Sequence, residues 1–288
     1  MELPVELLVA VYGEISCMST LAILASTSKL MRSVGHLDHR LRVLRQCYLA
    51  AVRHSVDKPV RCMFSDDMSE LKLELSHWAH RFALYPIIHN WHHLPVRCLT
   101  IKGDLYLLAA VKLEALLTSP NFYCEEIKFT CVAFNDDLNI TNYLKQAFNA
   151  CSRIRFNLCS FDPTCLAHLL ISVKHSSLHS FHFTSNFTDE FPAQLFCDAI
   201  SKARCLQELD ISGVGLGWDP QQLTDLLSAV ASTPITHLSL THNDITSITL
   251  PSLPNIQHLD LKNNHIKSTA HKAWARLLPS CTSLALSI

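Results

Sequence analysis

Leu206-Gln-Glu-Leu209-Asp-Ile211, Ile235-Thr-His-Leu238-Ser-Leu240 and Ile256-Gln-His-Leu259-Asp-Leu261 share one spelling, with apolar residues at the first, fourth and sixth positions. The latter two continue to Asn243-Asp-Ile245 and Asn264-His-Ile266, which puts Asn at the ninth position and Ile at the eleventh. Worked outward, the same register begins at Met68, Val96, Cys124, Cys151, Leu178, Leu206, Ile235, Ile256 and Cys281, at intervals of 28, 28, 27, 27, 28, 29, 21 and 25 residues. The alternating fourth and sixth positions are a strand signal, and a period of this length identifies a stacked repeat array. Asn186, Asn243, Asn264 and Cys159 occupy the ninth position, where a buried Asn or Cys bonds the backbone of the neighbouring turn. Ser76, Asp104, Val132 and Val214 break that rule. The eleventh position holds Trp78, Tyr106, Phe134, Phe161, Leu216, Ile245 and Ile266, mostly apolar throughout.

The spelling LxxLxLxxNxL resembles the leucine-rich repeat, and the mostly 28-residue period is similar to that of the ribonuclease-inhibitor-like class. The resemblance implies an α/β solenoid with parallel strands on a concave face and helices outside. Asp219-Pro220 followed by Leu223, Leu226, Leu227 and Val230 supplies an N-cap, a first-turn Pro and an apolar stripe for one such helix. Further stripes run over 105–117, 140–148, 164–173, 191–200 and 269–278. The 21-residue unit carrying Leu250-Pro-Ser-Leu253-Pro254 is too short for a helix and predicts extended or 3₁₀ backbone. The array is expected over 68–288, and the two residues after Leu286 supply no polar capping unit, consistent with a fragment or a short natural protein.

Residues 1–40 do not repeat and read as helical, a helical linker is expected over 41–67, and the stripe Leu37, Leu41, Leu44, Tyr48 and Ala51 marks a connecting helix over 35–51. Leu3-Pro4-Val5-Glu6-Leu7-Leu8, followed by Val11, Ile15, Leu21, Leu24 and Ser28-Lys29, resembles an F-box, departing at Thr20, Thr27 and Leu30-Met31. The resemblance implies docking onto the Skp adaptor of an SCF-type ubiquitin ligase, and through it a cullin. Leu3, Pro4, Leu7, Leu8, Val11 and Ile15 would line that interface, with Leu21 and Leu24 supporting it. The residues agree, since Leu3, Leu7, Val11 and Ile15 make one i, i+4 stripe that so short a helical piece cannot bury alone. The same helices also suit a plain cap over the first repeat. The two functions expected are therefore a substrate-recruiting ligase subunit and a protein-binding scaffold with no ubiquitin role.

Composition narrows the alternatives. The chain is 49% apolar and 17% charged, so it has the apolar surface to fold. A net charge of -1 lacks the basic excess of a nucleic-acid binder. The opening segment is a poor signal peptide and no uncharged apolar run suits a membrane span, so neither nucleic acid nor membrane is an expected partner. Twelve cysteines without paired spacing fit reduced thiols in cytoplasm or nucleus, which would leave the sequons at Asn139 and Asn186 without meaning. Cys124, Cys151, Cys159 and Cys281 fall on buried register positions. Gly213-Val-Gly215-Leu-Gly217 has the wrong spacing for a dinucleotide loop, and His77, His80, His89, His92 and His93 lack a completing zinc ligand. Adjacent acidic pairs such as Asp136-Asp137 point apart, so no catalytic site, metal or cofactor is expected. The strand residues between the buried positions should face a partner protein of unknown identity. They are Lys102, Lys128, Arg153, Arg155, His182, Glu208, Asp210, His237, His258, Asp260 and Lys262, with Thr100, Asn157 and Ser239 among them. Basic residues come first and acidic ones later, which makes the face polarised.

Overall fold

The computed structural model describes residues 60–65, 69–75, 96–103, 116–119, 122–134, 140–186, 191–216, 219–266, 274 and 276–286. The F-box-like stretch, the 77–93 histidine cluster and the greater part of the 105–117 and 269–278 stripes lie outside the described residues. The chain forms two compact units, 1–124 and 125–288.

In the first unit, β1 (Val60–Phe64), β2 (Glu70–Leu75) and β3 (Cys98–Lys102) are strands. Here the expectation of a helical linker over 41–67 is corrected, because its last residues form a strand. Val60–Phe64 pairs antiparallel with β2, Val60 opposite Leu75 and Phe64 opposite Leu71. The stretch VRCMF is β-branched and aromatic at its ends, and pairing it satisfies a sheet edge that would otherwise stand open. Ser65 helps close the turn, its Oγ accepting from Glu70 N at 2.8 Å. β2 and β3 are parallel, with the register residues Leu71, Leu73, Leu99 and Ile101 fully buried.

The second unit runs β4 (Glu126–Thr130), β5 (Ala133–Phe134), α1 (Ile140–Ala150), β6 (Arg153–Asn157), β7 (Ser160–Phe161), α2 (Pro163–His175), β8 (Ser180–Thr184), α3 (Ala193–Lys202), β9 (Glu208–Asp210), α4 (Pro220–Ala231), β10 (His237–Ser239), β11 (His258–Leu261) and β12 (Ser283–Leu286). β4, β6, β8, β9, β10, β11 and β12 pair in that order, all parallel, and β5 pairs with β7. This is a strand-and-helix architecture with a large parallel sheet, compatible with a leucine-rich-repeat solenoid. The repeat register survives pairing unshifted: Ile127, Ile154, Phe181 and Leu209 lie in line across four strands.

The first, fourth and sixth residues of the repeats from Cys124 to Ile256 are all buried on the helix side. There Phe129 stacks on Phe156 at 5.0 Å, Phe134 on Phe161 at 4.8 Å, and Phe183 meets Phe196 of α3 edge-on at 5.2 Å. Burying each such ring contributes about 1.5–3 kcal/mol. The helices begin where the sequence supplies caps. Asp219 Oδ1 accepts from Gln221 N at 2.9 Å and Gln222 N at 3.3 Å ahead of Pro220, and Asp162 does the same for Thr164 N ahead of Pro163. Leu223, Leu226, Leu227 and Val230 are buried, as their spacing predicts. The 21-residue unit has no helix; Leu250 and Leu253 are buried from irregular backbone. Burial stops short at the last unit, where Cys281 and Leu286 are half-buried and Leu284 is exposed. That corrects the expectation that Cys281 is core.

Two backbone devices join the repeats. The eighth residue of the seven units from Val96 to Ile256, Gly103, Cys131, Leu158, Ser185, Gly213, His242 and Asn263, has positive φ between 51° and 98°. In the second unit this turns the chain off the strand while its amide still reaches the seventh carbonyl of the next repeat. Leu158 N donates to Thr184 O at 3.2 Å and Gly213 N to Thr241 O at 3.0 Å. A Cβ on Gly213 would lie 2.8 Å from Ser185 Oγ. The second device is the ninth-position asparagine. Asn264 Oδ1 accepts from Asn243 N at 2.9 Å and Ile245 N at 3.1 Å, and its Nδ2 donates to Leu240 O and Leu261 O, both at 2.9 Å. Asn243 Oδ1 accepts from Val214, Gly215 and Leu216 N at 2.9, 3.1 and 3.5 Å, and its Nδ2 donates to Ile211 O at 2.6 Å. Asn186 bridges Cys159 N and Phe156 O in the same way.

Two outcomes follow for stability. Asn243→Ala strands several buried polar groups at once and should lower unfolding stability by about 3 kcal/mol, read as a lower urea midpoint at unchanged slope. Leu158→Gly removes a side chain from the left-handed region, where L-residues lose about 1–2 kcal/mol, and should raise stability by about 1 kcal/mol in the same titration.

Candidate functional site

Away from the helices, the second unit presents three columns of side chains set by strand register. The third-position column is Glu126, Arg153, Ser180, Glu208, His237, His258 and Ser283; the fifth is Lys128, Arg155, His182, Asp210, Ser239, Asp260 and Ala285. Asn157, Thr184, Ser212, Thr241 and Lys262 follow at the seventh position. Of the residues expected on this face, Lys128, Arg153, Arg155, His182, Glu208, Asp210, His237, His258, Asp260 and Lys262 share this sheet. Lys102 is on β3 of the first unit, where the neighbouring Thr100 is buried and donates to Glu70 Oε1 at 2.7 Å instead of facing out.

Glu126 alters the expected basic end. Its carboxylate takes an ion pair from the Arg155 guanidinium and another from Lys128 Nζ at 3.2 Å. Burial pushes the Glu126 carboxyl up, but the Arg155 charge together with Lys128 outweighs it and holds the group below the usual carboxylate value. Two of the three cations at this end therefore share one anion. Applying the register to every unit, third position included, is the signal that finds Glu126.

The middle of the face is a hydrogen-bonded row. Ser180 Oγ and His182 Nε2 share a bond of 2.8 Å, and Asp210 Oδ2 lies 3.3 Å from His182 Nδ1. Ser212 Oγ donates to Asp210 Oδ1 and lies 3.0 Å from Ser239 Oγ. Hydroxyl, imidazole and carboxylate are ordered as in an activated nucleophile. However, Ser180 is 1% exposed, so its hydroxyl meets no substrate and the row fastens β8 to β9.

Partly lined by this row is a groove of about 330 Å³ over β8 to β12. Glu208, Asp210, Asp260, His182, His237, His258 and Lys262 edge it, and Ser239, Ser283 and Ala285 leave it open. The His237 and His258 rings stack at 4.3 Å and 25°. Lys262 Nζ turns to its own Asp260 at 3.4 Å. Among the described residues no group of three or more His, Cys, Asp or Glu is arranged to hold a metal ion.

The glycine-rich loop binds no phosphate in this arrangement, because Asn243 already accepts from the amides of Val214, Gly215 and Leu216. Nine cysteines among the described residues are free thiols. Burial pushes those of Cys151 and Cys159 up to about 12, which makes them packing groups. Among the described residues no helix is long and apolar enough to cross a membrane.

A parallel sheet built from in-register strand units, tied by buried asparagines and open on one face, defines a protein-binding repeat. Residues 235–272, which include β10, β11, Asn243 and Asn264, match the family of Leucine Rich repeats (2 copies). No curated protein matches the chain.

The Glu126 cluster gives a direct check. Arg155→Met leaves burial less opposed, so the Glu126 carboxyl should titrate at higher pH than in the wild type, as followed by carboxyl carbon chemical shift in NMR. Because the wild-type value is depressed, the stabilisation from the pair is present above the unfolded-state carboxylate range. It is lost as pH falls through the folded value.

Proposed function

We infer that this chain is a non-enzymatic, protein-binding subunit that recruits a protein substrate to an SCF-type ubiquitin ligase. Residues 1–40 dock on the Skp adaptor, and the open strand face of the repeats takes the substrate. What carries the reading is the order of parts: the F-box-like Leu3-Pro4-Val5-Glu6-Leu7-Leu8 stretch stands ahead of repeats whose strand face carries a groove. One structural observation favours it over a plain cap. The edge of β2 is already paired by β1, so protection of that edge does not call on residues 1–40. The stripe Leu3, Leu7, Val11 and Ile15 is then free to serve a partner. Free thiols among the described cysteines suit the reducing cytoplasm or nucleus where such ligases work.

A pull-down of the full chain with purified Skp adaptor tests this. Capture by the wild type that is lost in a Leu7→Asp, Leu8→Asp double variant of unchanged circular dichroism is the expected result. A folded wild type that captures no adaptor leaves a leucine-rich-repeat scaffold without a ubiquitin role.

A further inference from the structure

We propose that the groove over β9 to β11 receives an arginine side chain from an extended basic segment of the partner protein. The proposal rests on the reading of the strand face as the partner-binding surface and supplies the chemistry of what binds there.

Charge sets the sign. Glu208, Asp210 and Asp260 carry three negative charges into one groove against the single ammonium of Lys262, which is engaged with Asp260. Glu208 is the most available acceptor. Among the described residues its carboxylate makes no hydrogen bond, and the nearest ring nitrogen, His182 Nε2, is 3.9 Å away. Asp210 and Asp260 use part of their capacity on Ser212, His182 and Lys262, and each carboxylate has about four lone-pair sites. A cationic side chain entering here meets open acceptors and a favourable field; an anionic one meets repulsion.

Spacing and shape select among cations. Parallel strands about 4.8 Å apart place Asp210 and Asp260 about 10 Å from each other, with the short Ser239 between them. The gap is too wide for a point-like ammonium to satisfy both, whereas a guanidinium presents five donors along a planar fork. In the adjacent column His237 and His258 stack on each other, which leaves one ring face open at each end of the pair, toward Glu208 and toward Ser283. A guanidinium lies flat on such a face and an ammonium does not. Strand register continues the groove to Ser283 and Ala285, small residues that leave room for the flanking backbone. At the other end Arg153 is exposed, which favours a segment whose basic residue is over β9 to β11 and not over β6.

Titration of the full chain with fluorescein-labelled Gly-Arg-Gly-Arg-Gly, read by fluorescence anisotropy beside its lysine and glutamate counterparts, tests the assignment. The arginine peptide should bind tightest and the glutamate peptide not at all. Glu208→Gln with Asp260→Asn should weaken the arginine peptide about tenfold or more. Lys262→Gln should tighten it, and Asp225→Asn on exposed α4 surface should change nothing. Absence of saturation at millimolar peptide overturns the proposal, as does lysine binding as tightly as arginine. So does indifference to the double substitution in a protein of unchanged melting temperature. Skp capture by the same preparations reads residues 1–40 and not the groove, so either idea can fail while the other stands.

Discussion

The carboxamide of a buried asparagine is the element on which the repeat geometry depends. A chain that leaves a strand and turns toward a helix exposes successive amides that no strand can pair, and burying them bare is costly. Asn243 resolves this for the turn at 214–216 by offering one oxygen to three amides, while Asn264 serves the turn of Asn243 itself. Three repeats are thus completed by a side chain belonging to the next, Asn186, Asn243 or Asn264. The strand-to-turn register must then stay fixed, or oxygen and amides no longer meet, while the outer segment is free to vary in length. The 21-residue unit respects this constraint by giving up its helix while keeping both asparagines in place.

Because the turns are locked in this way, the strands cannot slip, and a side chain's column follows from its position in the repeat. A one-residue slip would carry every face residue into the core. The locked register lines up Asp210, Ser239 and Asp260 across three strands and stacks His237 on His258. Each column of the face is therefore written one residue per repeat, and neighbours along it are 21 to 29 residues apart in the chain.

How far this could be read in advance differs by element. The repeat over Leu206, Ile235 and Ile256 was legible because buried positions are apolar and evenly spaced, and the helix cap at Asp219-Pro220 because capping is local. β1 was not, since Val60–Phe64 is strand by virtue of a partner some ten residues on, and a short apolar run alone does not separate strand from helix. The left-handed eighth positions were hidden because Cys131, Leu158 and Ser185 are residue types that give no hint of positive φ. On the face, the residues were legible from register, but the pairing of Glu126 with Arg155 and Lys128 required knowing which strands are neighbours. The polarity read from charge order alone was accordingly too strong at its basic end. The F-box-like stretch lies outside the described residues, and its reading stands on the motif.

The thin burial of β12 bears on how the array comes apart. In a stack where each unit touches only its neighbours, stability is close to a sum of interfaces, and opening begins where an interface is least complete. β12 pairs with β11 among the described residues, yet Leu284 is 37% exposed although it aligns with the buried Leu259. Parting of β12 from β11 uncovers Leu259 and Leu261 and, with them, a wall of the groove. Occupancy of the groove and closure of the β11–β12 seam are consequently linked. Whatever binds across β11 and β12 also acts as a clasp, raising the free energy of local opening at the same stroke.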